Sequence, residues 1–142
     1  MQDLRNLFHQ SGVRVTSEWL DINLQADFTD EQFNTEAYVD LINIETADVF
    51  ILYNPLSNQG MGSGGRHVEM GYALARNKHI ILVGEKKENV FQYIKEIIFL
   101  EYPGDGSMRM LCKLLIALLK GIEDAELREG PGSVQRAIDD CR

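Results

Sequence analysis

Two short runs, Val49-Phe-Ile-Leu-Tyr53 and Ile80-Ile-Leu-Val83, are apolar and largely β-branched or aromatic, and one helical segment separates them. Runs this continuously apolar read as strands buried on both faces, which is the signature of a parallel sheet. A helix between two such strands makes the pair parallel, because a parallel connection needs a crossover. The connection is also glycine-rich. Gly60, Gly62, Gly64 and Gly65 precede a helix expected over 64–76. Glycines there let the backbone approach a ligand closely, and the helix start presents unpaired N–H groups and a positive dipole end. In open α/β sheets ligands sit at strand-to-helix turns of this kind.

The rest of the chain extends the same pattern. Leu4, Leu7 and Phe8 share one face of a helix over 1–11 that Gly12 stops. Val13 to Trp19 alternates and predicts a strand over 13–18. Thr29-Asp-Glu-Gln32 matches a capping box and starts a helix running to Thr46. Asn77 is a left-handed helix stop, and 88–95 is a short helix or turn. Ile97 to Leu100 is a further strand. A helix over 107–120 turns Met108, Leu111, Leu115 and Leu118 inward and ends at Gly121, and 133–141 forms a last short helix. Strand and helix alternate, so the expected fold is α/β: a doubly wound parallel sheet with helices on both faces. Such a domain usually opens on a strand, whereas this sequence opens on a helix, so either the usual first strand lies upstream of this sequence or the sheet is a reduced version without it. One domain over 1–142 is expected, with 121–142 as a C-terminal extension.

Composition narrows the partners. The net charge of -8 argues against nucleic-acid polymers and anionic membranes. It leaves room for a small anion held by local N–H groups and an arginine. Cys112 and Cys141 lack metal-ligand spacing, so free thiols in a reducing compartment are expected. Met1-Gln-Asp-Leu-Arg5 begins an amphipathic pattern rather than a signal peptide, and no apolar run reaches bilayer length. A cytoplasmic protein is the expectation.

Glu69 is the first candidate for chemistry. It follows the glycines closely, and a helix start favours an ionised carboxylate, as a nucleophile requires. Read on helix statistics alone, it is a solvated glutamate with buried neighbours Val68, Tyr72 and Ala73. Asp40 is the second. Helical spacing places it on an apolar stripe with Phe33, Ala37 and Ile44, where a carboxylate is costly unless bonded or lining a pocket. A structural cap is the competing reading. Ser63 can cap the helix or hold a phosphate. Gly64 and Gly65 supply N–H groups. Arg66 can pair with a phosphate or carboxylate. His67 reads as a general acid or, more simply, as a surface histidine. Trp19 and Tyr53 lie near C-terminal strand ends, where a ring can stack on a base or serve the core. His9 and His79 are isolated, and no metal site is expected. The glycines do not form G-x-G-x-x-G, and no Lys-Ser/Thr follows them, which excludes a P-loop.

The segments Asp40-Leu-Ile-Asn-Ile-Glu-Thr-Ala-Asp48-Val-Phe-Ile-Leu52 and Ser63-Gly-Gly-Arg-His-Val-Glu69-Met-Gly-Tyr-Ala-Leu-Ala-Arg-Asn-Lys78, with Val83-Gly-Glu-Lys-Lys-Glu-Asn89, resemble the nucleoside 2-deoxyribosyltransferase superfamily, which includes the 2′-deoxynucleoside 5′-monophosphate N-glycosidases. The likeness covers roughly residues 1–102. It implies a flavodoxin-like fold, action on the N-glycosidic bond of a nucleoside or nucleotide, no cofactor, and a homodimer. It also implies roles: Glu69 as the nucleophile at the anomeric carbon, Asp40 as assistant to the leaving base, and Ser63 as a contact to the sugar 5′-phosphate. A serine at 63, where the transferases usually carry an aspartate, favours hydrolysis over transfer. The loop over 54–63 is longer than in the N-glycosidases. A nucleotide-binding or sensing protein, or a subunit whose sheet a partner completes, would use the same pocket.

Overall fold

The computed structural model describes residues 2–17, 28–54, 64–86, 89–101 and 108–129. In chain order these form α1 (Gln2–Gln10), α2 (Asp30–Thr46), β1 (Val49–Asn54), α3 (Gly64–Ala75), β2 (His79–Gly84), a 3-10 turn (Val90–Tyr93), β3 (Ile98–Leu100) and α4 (Met108–Glu129). The strands make one parallel sheet in the order β1-β2-β3, with Val49 opposite His79 and Ile81 opposite Ile98. Strand periodicity then divides the core into two layers. Ile81, Val83 and Ile98 face α1 and α4, meeting Phe8, Leu111, Leu115 and Ile122. Leu52, Ile80 and Leu82 face α2 and α3, meeting Ile44, Met70 and Ala73. Helices thus cover both faces of a parallel sheet, the flavodoxin-like α/β arrangement.

Local chemistry fixes the boundaries. The capping box at the start of α2 is formed: Gln32 N donates to Thr29 Oγ1 at 3.3 Å, and Thr29 N donates to Gln32 Oε1 at 2.8 Å. Asn77 takes φ 54° at the end of α3, and Lys78 N donates to Ala73 O at 3.0 Å, the left-handed stop. His79 N then bonds Asp48 O at 3.2 Å and sets the register of β1 against β2.

Four expectations need correction. The segment 13–17 forms no strand. Val13 and Val15 do pack on the α1/α4 layer, and Thr16 Oγ1 donates to Asn43 O at 3.1 Å, so burial and a side-chain bond hold it without ladder pairing. The apolar stripe of α2 is shorter than its spacing suggests. Ile44 is buried, but Phe33 is 56% exposed and Ala37 is exposed, so only the C-terminal part of the stripe reaches the core. Val68 is 69% exposed on the outer face of α3. Finally, α4 does not stop at Gly121 but runs on to Glu129, with Ile122 buried, because packing outweighs the helix cost of one glycine. The segment 133–141 lies outside the described residues.

Candidate functional site

The strands are parallel, so the C-terminal ends of β1 and β2 lie side by side. These two strand ends are clamped together. Glu85 N donates to Asn54 O at 3.3 Å, and Asn54 Nδ2 donates to Glu85 O at 3.0 Å. Asn54 is only 6% exposed, so its amide serves the frame. Gly84 makes the approach possible. It sits at φ 109°, and a Cβ there would stand 1.7 Å from Asn54 O. Sequence reasoning missed both residues; the signal available was a glycine at the end of an apolar strand, directly before a charged Glu85.

Helix α3 rises from this platform, and its flanks have separate duties. Met70 and Ala73 face the sheet, at 1% and 0% exposure. Arg66, on the same face one turn earlier, donates from Nη1 to Tyr53 O at 2.9 Å and ties the helix start to the end of β1. His67 and Leu74 occupy the flank toward the 3-10 turn. There the half-buried His67 has its Nε2 3.5 Å from Nε2 of the fully buried Gln92, so it packs inside the fold and is not the surface histidine of the simpler reading. Gly65, Glu69, Tyr72 and Arg76 share the opposite flank, toward α2.

That flank holds the candidate chemistry. Glu69 and Asp40 are both half-buried. Burial pushes the Glu69 carboxyl above the usual carboxylate range, the Asp40 charge pushes it further, and the Arg66 guanidinium pulls it back. The two acids are therefore electrostatic neighbours across the helix pair. Their level is set by a second cluster nearer the C-terminal ends of both helices. Glu45 accepts from Arg76 Nε at 2.7 Å and from Tyr72 OH at 3.2 Å, pairs with Arg76 Nη2, and its carbonyl accepts from Lys78 Nζ at 2.7 Å. Both helices run antiparallel to the strands and hence parallel to each other. At about 1.5 Å per residue, Asp40 and Glu69 each lie one to two turns up from this lock and so come level.

Gly64 and Gly65 are exposed at the open end of α3. Among the described residues a Cβ at Gly64 would meet nothing within 4 Å, and one at Gly65 would stand 3.9 Å from Glu69 Oε1. The structure brings together Glu69, Asp40, Gly64, Gly65 and Arg66. Ser63 and Trp19 lie outside the described residues.

No family model matches the chain, and no curated protein does. Among solved structures, the CMP N-glycosidase BcmB of Clostridium botulinum is similar over 80% of this chain and 83% of its own, with a TM-score of 0.54 and 20% identity. The chain shares the fold of a nucleotide N-glycosidase. At that identity the likeness establishes architecture, and the residues of the site must carry the chemistry. No helix among the described residues is long and apolar enough to cross a membrane.

Proposed function

We propose that this protein cleaves the N-glycosidic bond of a nucleoside 5′-monophosphate. What supports the reading is two half-buried carboxyls, Asp40 on α2 and Glu69 on α3, with the Asp40 charge acting on Glu69 and the exposed Gly65 one turn before it. Two acids serving one site can divide into a nucleophile and a proton donor, and the family resemblance assigns the first role to Glu69 and the second to Asp40. The fold shared with a CMP N-glycosidase supports the same class.

The reaction follows from these roles. Glu69 attacks C1′ of the sugar, the C1′–N bond breaks, and its electron pair leaves with the base, which takes a proton from Asp40. Water then attacks C1′ of the glycosyl-enzyme, Asp40 accepts its proton, and Glu69 is released, as in retaining glycoside hydrolysis. The products are the free base and the sugar 5-phosphate. The N–H groups of Gly64 and Gly65, with the Ser63 hydroxyl, receive the phosphate, where a helix start favours negative charge. Hydrolysis rather than transfer is preferred on the serine at 63. The working unit we propose is a homodimer, formed through the outer face of α3, where Val68 is 69% exposed.

The test is direct. The protein is incubated with CMP, dCMP, the other common 5′-mononucleotides and the matching nucleosides, and free base is measured by liquid chromatography. Release from at least one 5′-mononucleotide, lost in Glu69→Gln, is expected. No release from any of them sinks the reading and leaves a nucleotide-binding protein.

A further inference from the structure

We propose that Arg66 is a positioning residue acting through Glu69, and not a ligand for the substrate phosphate: it pins the first turn of α3 to the end of β1 and keeps a positive charge beside the Glu69 carboxyl. The inference rests on the glycosidase reading for its kinetic consequences, but its geometry stands by itself.

An arginine just behind a glycine-rich helix start would ordinarily be assigned to a phosphate. The structure turns this one elsewhere. Arg66 precedes Met70 by four residues and Ala73 by seven, so it lies on the sheet-facing side of α3, and both of those residues are buried. Gly64, by contrast, faces the open side and Gly65 the α2 flank. The acceptor that Arg66 finds lies on the side of β1 turned away from β2. Asp48 O and Asn54 O receive bonds from β2, so the carbonyls of even-numbered residues in β1 face β2 and those of odd-numbered residues face the other edge. Tyr53 O belongs to the second set, and Nη1 of Arg66 reaches it at 2.9 Å. Arg66 thus holds a strand carbonyl that faces away from β2.

The charge environment of Glu69 completes the argument. From α2 the charged group facing it is Asp40, and from α3 itself it is Arg66. β1 offers only the Tyr53 phenol as a titratable group, and the titratable residue of β2, His79, starts that strand at its far end. Arg66 is the cation that opposes both burial and Asp40 in setting the charge on Glu69. A nucleophile must be ionised to attack, so a fixed guanidinium widens the pH range over which Glu69 is competent. Engagement of the same guanidinium by a mobile phosphate would weaken that control.

The experiment compares wild type, Arg66→Gln and Arg66→Lys by two readouts. The first follows the Glu69 side-chain carboxyl by 13C NMR through a pH titration, which requires no turnover. The second measures kcat/KM against pH for a 5′-mononucleotide and its unphosphorylated nucleoside. Arg66→Gln is expected to move the Glu69 titration and the acidic limb of the rate profile to higher pH, and Arg66→Lys to stay nearer wild type. Both substrates should lose rate by the same factor, to within about threefold. A loss confined to the phosphorylated substrate, or an unmoved Glu69 titration, overturns the proposal. Should Arg66→Gln fail to fold, Arg66→Lys decides by its substrate ratio: unchanged supports positioning, and a fall for the nucleotide alone refutes it. A protein without glycosidase activity would still show or lack the NMR shift, so the two readings fail separately.

Discussion

Replacing Gly84 by alanine tests the platform on which the site stands. The new Cβ would lie 1.7 Å from Asn54 O and 2.8 Å from its carbonyl carbon, both backbone atoms that cannot rotate aside. The residue would also be held at φ 109°, which costs a non-glycine residue about 1–3 kcal/mol. Relief requires the end of β2 to move from β1, which gives up the Glu85 N to Asn54 O bond and the Asn54 Nδ2 to Glu85 O bond. At about 1 kcal/mol each, the two bonds bring the loss to about 3–5 kcal/mol. That is a large share of the roughly 5–15 kcal/mol that holds a domain folded. Urea denaturation followed by circular dichroism measures it, with Gly71→Ala and Gly121→Ala as controls. Both control glycines lie in helices, and a Cβ at either meets nothing within 4 Å, so alanine there should be neutral or stabilising by up to about 1 kcal/mol. A Gly84→Ala loss below about 1 kcal/mol would refute the reasoning, since the strand ends would then have room the geometry denies.

Glu69→Gln should reduce base release by about three orders of magnitude or more, roughly 4 kcal/mol of barrier, while stabilising the fold at neutral pH. The sign follows from the raised carboxyl: a group easier to protonate when folded contributes stability at low pH and loses it as pH rises through its folded pKa, so the gain of the glutamine variant should vanish in acid. Thermal melts across pH check this, and a glutamine variant less stable than wild type at pH 7 would count against a strained carboxyl. Glu45 behaves oppositely. Its carboxyl is lowered chiefly by the Arg76 hydrogen bond, so its contribution is present above the usual carboxylate range and lost as pH falls through its folded pKa; Glu45→Gln and wild type should therefore converge in stability in acid. Ser63→Ala should raise KM for 5′-phosphorylated substrates and leave that for nucleosides unchanged, as steady-state kinetics on matched pairs will read. Light scattering at micromolar concentration should give a dimer that Val68→Glu disrupts, and a wild-type monomer argues against α3 as the interface.

The parts of this molecule that were legible in its sequence are those where one local rule acts alone. The apolar runs at 49–53 and 80–83 have no alternative to a buried parallel pair, and both formed, as did the Thr29–Gln32 capping box and the Asn77 stop. Where tertiary packing competes with local pattern, the pattern misleads. The alternation of Val13 to Ser17 encodes which side chains are buried, and burial was achieved without a ladder. The spacing of Phe33, Ala37 and Ile44 is helical, but how much of a helical face meets the core depends on what packs against it, which no spacing states. Glycine in α4 is a stop by propensity and a tolerated passenger once Leu115 and Ile122 are buried on either side of it.

The candidate site divides along the same line. Glu69 stands out in the sequence because it follows four glycines and a strand, all local signals. Asp40 was singled out for an awkward place on an apolar stripe, and the stripe proved mostly exposed, yet its charge still acts on Glu69. The reason is the α2–α3 lock. Glu45, five residues beyond Asp40, is gripped by Tyr72 and Arg76, three and seven residues beyond Glu69. Parallel helices joined at one level are aligned one turn away as well, so the ion pair that looks like surface decoration sets the spacing of the two acids. Arg66 shows the limit of motif reading. Its position after the glycines suggests a phosphate, whereas the direction of its helical face sends it to Tyr53 O. Which flank of α3 a residue occupies, rather than its distance from the glycines, decides whether it meets α2, the sheet or solvent, and therefore which part of the chemistry it can serve.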